Sequence, residues 1–364
     1  MMTGLKVMTI LGTRPEIIKL SPIIPLLEQN FTHVLVHTGQ HYDYEMDKVF
    51  FEELKLKEPD YKLNIGSHSP GKQTGLMLQK IEDALLKDKP DLVIVQGDTN
   101  STLAGAIAAA KLGIKVLHVE SGCRSFNREM PEEINRILTD AISSYLIAPD
   151  KQAVNNLKKE NVKGKIFLIG STAFDAAFRA KKLVDASSVT PQSKDTPEKY
   201  VLLTLHRAEN TTPERLASIL RVLNSIGKNI PIVFPIHPRT LKVVEYNDID
   251  VGNLKIIKPA SYLKFMSLLA HSRFCVTDSG GIQEEALVFN VPCLIIRNET
   301  EWTRLVDAGK NLLLGTEAEN IKNGIIELWA DDNKLKKIKD IKVDYPHNVS
   351  EEIIKIMTNE PRNS

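Results

Sequence analysis

The stretch TDSGGIQEEA, Thr277 to Ala286, combines two chemistries that oppose each other. Ser279, Gly280 and Gly281 follow the apolar run FCVT and lead into a helical pattern. Their backbone N–H groups, with the positive end of the helix, form a natural cradle for an anion. Glu284 and Glu285 follow within about one and a half turns and would repel that anion. A nucleoside diphosphate reconciles the two, because it carries phosphate oxygens beside a ribose diol. The Ser279–Gly281 turn suits the diphosphate, and Glu285 is placed to accept hydrogen bonds from ribose hydroxyls. The plainer reading makes both glutamates charges favoured near a helix start.

Polar residues at the ends of other apolar runs extend the pattern. Arg14 lies in GTRPEIIK with Lys19 on the helix that follows, Asp98 in QGDTNST, Glu120 in HVESGCRS, His206 in LTLHRAEN and His237 in PIHPRT. Ligands of parallel α/β sheets bind outside the carboxyl ends of the strands, so these are the positions where chemistry would be done. Each also has a purely structural explanation. Asp98 has the type and place of an N-cap for a helix starting at Asn100, and His206 alone reads as a hydrogen-bonded structural histidine. Recurrence in both halves of the chain favours a ligand site. Cys123, beside Glu120, reads as a small buried thiol rather than a nucleophile.

Sharper motifs fail on inspection. GSHSPGKQ, Gly66 to Gln73, has the G-x-x-x-x-G-K spacing of a phosphate loop. Gln73 stands where Ser or Thr would hold magnesium, and the preceding YKLNI is a poor buried strand. HVE, His118 to Glu120, resembles half of a zinc-deaminase signature, but Pro292-Cys293 lacks the second cysteine. There is no convincing metal-ligand spacing and no G-x-G-x-x-G, so neither a metal nor a dinucleotide cofactor is expected.

The elements that must position these residues are α/β in type. Strand candidates are LKVMTIL, HVLVHTG, DLVIVQGD, KVLHVES, YLIAP and KIFLIG in the first half, then YVLLTLH, IPIVFPIH, LKIIKP, FCVTDS, PCLII and NLLLG. Continuous Val/Ile/Leu runs alternating with helical segments indicate parallel sheets buried on both faces. A chain of 364 residues exceeds one ordinary core. The expected fold is two doubly wound, Rossmann-like parallel-sheet domains facing each other across a cleft. The first covers residues 1–185 and the second 186–345, with the polar DASSVTPQSKDTPEK between them as a linker. A C-terminal helix over about 346–364 packs back on the first domain.

Composition sets outer limits. Hydrophobic content of 42% with 26% charge is that of a globular protein, and a net charge of +1 gives no bulk attraction for nucleic acid or an anionic membrane. The apolar run Val7–Leu11 is too short for a signal sequence, and no segment approaches a membrane span. Three cysteines without a CxxC pair suggest a reducing, cytoplasmic setting.

GTRPEIIKLSP, QGDTNSTLA, HVESGCRS, MPEEINR, HRAEN and DSGGIQEEA, in this order and spacing, resemble the non-hydrolysing UDP-N-acetylglucosamine 2-epimerases over essentially the whole chain. The resemblance implies the two-domain GT-B fold, an interdomain active site, metal-free interconversion of UDP-GlcNAc and UDP-ManNAc, and a homodimer. It implies that Arg14, His206, Ser279, Gly280, Gly281 and Glu285 bind UDP. Lys19, Asp98, Glu120 and Glu132 would surround the sugar, with Phe265 near the base.

The chemistry suits those residues independently. The C2 hydrogen of a 2-acetamido sugar is not next to a carbonyl, so direct deprotonation is too costly. Ejecting UDP from C1 while a base takes the C2 proton leaves 2-acetamidoglucal, to which UDP adds back after protonation on the other face. That route needs cations on the departing diphosphate, Arg14 and His206, and acid–base groups at C2, drawn from Asp98, Glu120 and Glu132. Which carboxylate is base and which is acid stays open at this point.

The chain also departs from the resembled pattern. Trp302 stands where an arginine follows TE, with Arg304 two positions later, and QHYDYEM puts Tyr42 and Asp43 where a second, activating UDP-GlcNAc is bound. QHYD and ETEW are similar to the branch that epimerises UDP-2,3-diacetamido uronic acids. The alternatives are a hydrolysing 2-epimerase or a GT-B glycosyltransferase, against which stand HRAEN and the absence of an acceptor-binding insertion, and a non-catalytic nucleotide-sugar sensor, which would need no Asp98, Glu120 and Glu132.

Overall fold

A computed structural model describes residues 4–40, 44–186 and 196–359. Tyr42 and Asp43, and most of the stretch read as a linker (187–195), lie outside these residues. The chain divides into two compact units, Met1–Ala176 with Pro346–Ser364, and Ala177–Tyr345.

The first unit holds a seven-stranded sheet. Its strands are β1 (Lys6–Leu11), β2 (Thr32–His37), β3 (Tyr61–Lys62), β4 (Leu92–Gln96), β5 (Lys115–Val119), β6 (Tyr145–Ala148) and β7 (Lys165–Leu168). They lie in the order β3-β2-β1-β4-β5-β6-β7, and every pair is parallel. Helices α1 (Arg14–Leu20), α2 (Ile23–Asn30), α3 (Tyr44–Glu53), α4 (Pro70–Asp88), α5 (Asn100–Lys111), α6 (Pro131–Ile142), α7 (Lys151–Lys159) and α8 (Thr172–Ala186) connect and cover them. Strand β4 is buried at every position, as an apolar run sandwiched between helices must be. Its Val93 and Val95 join Met8, Ile10, Val34 and Val36 against Met77 and Ile81 of α4 and the alanine-rich face of α5. YKLNI supplies only the two-residue edge strand β3, half-exposed and far from a buried run.

The division between units falls inside α8. The C-terminal helix Val349–Asn359 belongs to the first unit, where it packs against α2. Ser350 donates from its N–H and hydroxyl to Asp175 Oδ2 at 2.6 and 2.7 Å, tying that helix to the first turn of α8.

The second unit holds β8 (Val201–Thr204), β9 (Ile232–Pro235), β10 (Lys255–Ile257), β11 (Phe274–Thr277), β12 (Cys293–Ile295) and β13 (Asn311–Leu313), in the order β10-β9-β8-β11-β12-β13, again all parallel. Helices α9 (Pro213–Gly227), α10 (Pro238–Tyr246), α11 (Tyr262–His271) and α12 (Gly280–Val288) follow successive strands. Val201, Leu203, Phe234, Val276 and Leu294 pack with Leu216, Leu220 and Leu223 of α9 in one core.

Each sheet reverses winding once, between β1 and β4 in the first and between β8 and β11 in the second. Such a switch point leaves a crevice at the carboxyl edge, because the two connections depart in opposite directions.

Candidate active site

The first switch point brings the GTR and QGD turns together. Gly12 has no room for a side chain, since a Cβ there would lie 1.9 Å from Thr38 Oγ1 and 2.3 Å from Ser101 Oγ. Glu16, 1% exposed, locks the two turns. It accepts from the Gly12 N–H (2.9 Å), Thr13 Oγ1 (2.9 Å), Thr99 Oγ1 (2.8 Å) and Thr102 Oγ1 (3.1 Å). Burial pushes its pKa up, against the opposing pull of those donors. Sequence patterning alone does not single out Glu16.

Asp98 stands at the end of β4 and does not cap the following helix. Thr99 takes that role, its hydroxyl accepting from the Thr102 N–H. The Asp98 carboxylate is instead held by Arg136 of α6, with Nε at 2.9 Å and Nη2 at 2.7 Å from Oδ2. Arg136 is fixed in turn by Glu133, to which Nη1 donates at 2.7 Å. Burial raises the Glu133 pKa, but the Ser125 and Phe126 N–H groups and Arg136 outweigh it and hold the carboxyl below its ordinary value. Glu132, next in line, is exposed in the first turn of α6.

Glu120 terminates β5 in the left-handed region, at φ 68°. A non-glycine residue there costs roughly 1–2 kcal/mol, so its surroundings must over-determine it. They do: Lys19 Nζ donates to both carboxylate oxygens at 2.8 and 2.6 Å, and Gln96 Nε2 donates to Oε2 at 2.7 Å. Asp98 and Glu120 therefore sit beyond the carboxyl ends of the neighbouring strands β4 and β5, each paired with a cation, Arg136 of α6 and Lys19 in the last turn of α1. Arg14, at the start of α1, pairs with Asp47 of α3 (Nε–Oδ1 3.0 Å) and lies 5.2 Å from the Phe50 ring centroid. Cys123 is half-buried, and desolvation followed by Glu120 raises its pKa to about 12, which leaves it unreactive as a nucleophile.

The second switch point is built on Asp278. This fully buried carboxylate accepts from the backbone N–H groups of His206 and Arg207, at 3.1 and 3.0 Å, and from Asn210 Nδ2 at 3.2 Å. His206 Nδ1 lies 3.2 Å from its Oδ1, while the imidazole is 53% exposed. With Nδ1 engaged, Nε2 is the ring nitrogen left for a ligand. Desolvation works against the Asp278 charge, yet His206 and the other donors hold its pKa low.

Ser279 is the N-cap residue of α12, without a side-chain capping bond. Its N–H is spent on Thr277 Oγ1 at 3.0 Å, so the donors left at this helix start are the Gly280 and Gly281 N–H groups and the Ser279 hydroxyl. Glu284 and Glu285 lie in the second turn, not the first. Glu284 is buried and Glu285 half-buried, accepting from the Tyr262 hydroxyl of α11 at 3.0 Å. Phe265, one turn beyond Tyr262, is half-buried on the same helix. His237 is an N-cap, its Nδ1 accepting from the Arg239 N–H, and Arg304 lies over the Trp302 ring at 5.7 Å.

Comparison with known proteins follows the same lines. The family model described as UDP-N-acetylglucosamine 2-epimerase matches residues 26–358. A Methanococcus maripaludis protein named UDP-N-acetylglucosamine 2-epimerase is 52% identical over 331 residues, 87% of this chain and 90% of that one. A Pseudomonas aeruginosa protein named UDP-2,3-diacetamido-2,3-dideoxy-D-glucuronate 2-epimerase is 45% identical over 343 residues, 91% of this chain and 95% of that one. The crystal structure of Methanocaldococcus jannaschii UDP-GlcNAc 2-epimerase in complex with UDP-GlcNAc and UDP aligns with a TM-score of 0.83 at 44% identity, covering 98% of this chain and 100% of that one. On the family match, the identity and the coverage together, the chain belongs to the UDP-N-acetylglucosamine 2-epimerase family.

Proposed function

We propose that this protein interconverts UDP-N-acetylglucosamine and UDP-N-acetylmannosamine by inverting C2 of the sugar. The observation that carries the reading is the first switch point, where Asp98 and Glu120 end adjacent strands, each bound to its own cation, Arg136 and Lys19. A binding module has no need of two such carboxylates.

In the proposed reaction a carboxylate takes the C2 proton. The C2–H electrons form the C1=C2 bond while the C1–O bond breaks, and UDP leaves with that electron pair. Re-addition of UDP to 2-acetamidoglucal, with a proton delivered to C2 on the opposite face, gives the epimer. Asp98, Glu120 and Glu132 are the acid–base candidates. Arg14 and His206 stabilise the charge growing on the diphosphate. The Gly280 and Gly281 N–H groups and the Ser279 hydroxyl hold its oxygens, Glu285 the ribose, and Phe265 the base. A Cβ on Gly281 would meet no protein atom within 4 Å, so the space beside this helix start is open to a ligand.

The test is product analysis by NMR with UDP-GlcNAc and, in parallel, UDP-2,3-diacetamido-glucuronate. UDP-ManNAc from the first supports the proposal. Turnover of the uronate alone assigns the chain to the specificity named for the Pseudomonas aeruginosa relative. Free ManNAc points to a hydrolysing enzyme, and UDP binding without any product to a sensor.

We further propose a homodimer. Met130, Ile134, Leu138 and Ile142 recur at i, i+4 along α6 with 38–47% exposure, an apolar stripe suited to self-pairing. A solution mass equal to one chain would remove this. No helix among the described residues is long and apolar enough to cross a membrane. Three free thiols suit the cytoplasm.

A further inference from the structure

His118 and Asp140 meet in the interior of the first unit, both 0% exposed, behind the carboxylates of the candidate site. His118 Nδ1 lies 2.7 Å from Asp140 Oδ1, and Nε2 lies 2.7 Å from the carbonyl oxygen of Gly97. Both neighbours are acceptors. A neutral imidazole has one N–H, so either tautomer would press a lone pair against an oxygen at hydrogen-bond distance. Only the doubly protonated ring satisfies both contacts.

The charges around it balance that state. Asp140 Oδ2 takes Arg124 Nη2 at 2.7 Å and the Gly122 N–H at 3.0 Å, and Arg124 in turn pairs with Glu160 at 2.6 Å. The line runs His118⁺, Asp140⁻, Arg124⁺, Glu160⁻. Burial disfavours the Asp140 charge, but His118 and then Arg124 overcome it and hold its pKa below the carboxylate range. The other charged groups nearby are accounted for: Arg136, on α6 one turn before Asp140, belongs to Asp98, and Lys19 of α1 belongs to Glu120.

The first two members of this line, His118 and Asp140, hold backbone beside the candidate acid–base groups. Gly97, at φ 76°, directly precedes Asp98, and Gly122, at φ 80°, follows Glu120 by two residues. A side chain on Gly122 would strike Ala153 O at 2.5 Å, so the second turn has no freedom to adapt.

We propose that a buried His118 imidazolium, paired with Asp140, is the positioning device that sets the Asp98 turn against the Glu120 turn. His118 touches no substrate; it acts through Gly97 and Asp140. The inference rests on the assignment of Asp98 and Glu120 as acid–base groups.

Ring-nitrogen NMR of the wild-type protein at neutral pH, with the His118 ring assigned through bonds from its own backbone, tests the protonation state. Two protonated nitrogens are expected, and one bare nitrogen overturns the proposal even if no variant folds. For folded His118→Gln and Asp140→Asn, turnover should fall about 100-fold, the scale of a misplaced reacting group. The dissociation constant for UDP should stay within about threefold, so the loss falls on turnover and not on binding. Full turnover in His118→Gln while Asp98→Asn is inactive would sink the positioning role and leave the acid–base reading standing. Full turnover in both would sink that reading itself.

Discussion

Lys19 Nζ sits between the two carboxylate oxygens of Glu120, at 2.8 and 2.6 Å, and bridges residues 101 positions apart in the chain. The pair is about three-quarters buried, with side chains 27% and 25% exposed. Removing the cation leaves a carboxylate partly desolvated, strained at positive φ and short of a partner. Lys19→Met should therefore lower turnover by about 10²-fold or more, and Lys19→Arg by less. Equal, near-normal turnover in both would take Lys19 out of the site.

Asp98→Asn keeps shape and loses the proton-accepting group. Turnover should drop roughly 10²–10⁴-fold, the range for loss of a general acid or base, with UDP affinity changed only a few-fold. Calorimetry with UDP alongside steady-state kinetics separates the two effects. An active Asp98→Asn enzyme removes Asp98 from the chemistry.

Glu285 is proposed to meet the ribose while Tyr262 holds its Oε1. A hydrogen bond to a charged group contributes about 1.5–3 kcal/mol, so Glu285→Ala should weaken UDP roughly 10–100-fold. Tyr262→Phe, which removes one hydrogen bond to the carboxylate and keeps the carboxylate, should cost less. An unchanged dissociation constant for Glu285→Ala would show that the α12 carboxylate has no part in nucleotide binding.

Reaction in deuterated water should place one deuterium at C2 of the product, because the proton removed and the proton returned come from different groups. Mass and NMR analysis of the product decides it. Epimer formed without the label would exclude elimination and re-addition.

His33 gives the fold an acid sensitivity separate from catalysis. Its Nε2 meets Thr9 Oγ1 at 2.9 Å, and burial, followed by Lys57, lowers its pKa from 6.5 to about 3. The native ring stays neutral while the unfolded ring takes a proton below 6.5, so stability is intact above that pH and declines toward about 3. Each pH unit in this window costs up to about 1.4 kcal/mol. Urea midpoints at pH 7 and 4.5 should differ less for His33→Gln than for the wild type. Equal differences would place the acid sensitivity elsewhere.

Much of this is legible along the chain. The apolar runs become twelve parallel strands because burial on both faces is a local compositional demand, visible in five or six residues. Polar residues at the ends of those runs mark the site edge, since that edge follows from strand direction alone. The two-residue β3 gives no such signal, because an edge strand needs no apolar run.

What the tertiary structure alone decided is which groups meet. That β1 lies beside β4, and β8 beside β11, is a matter of strand order, and no window of sequence contains it. Through that order Glu16 reaches Thr99, Arg136 takes Asp98 away from a capping role, and Asp278 rather than the DSGG backbone alone orients His206. The same holds for His118, whose two ring nitrogens meet oxygens 21 and 22 residues away. Residue type sets what a side chain can do, but the state it is held in depends on partners distant in sequence, and chain folding selects those.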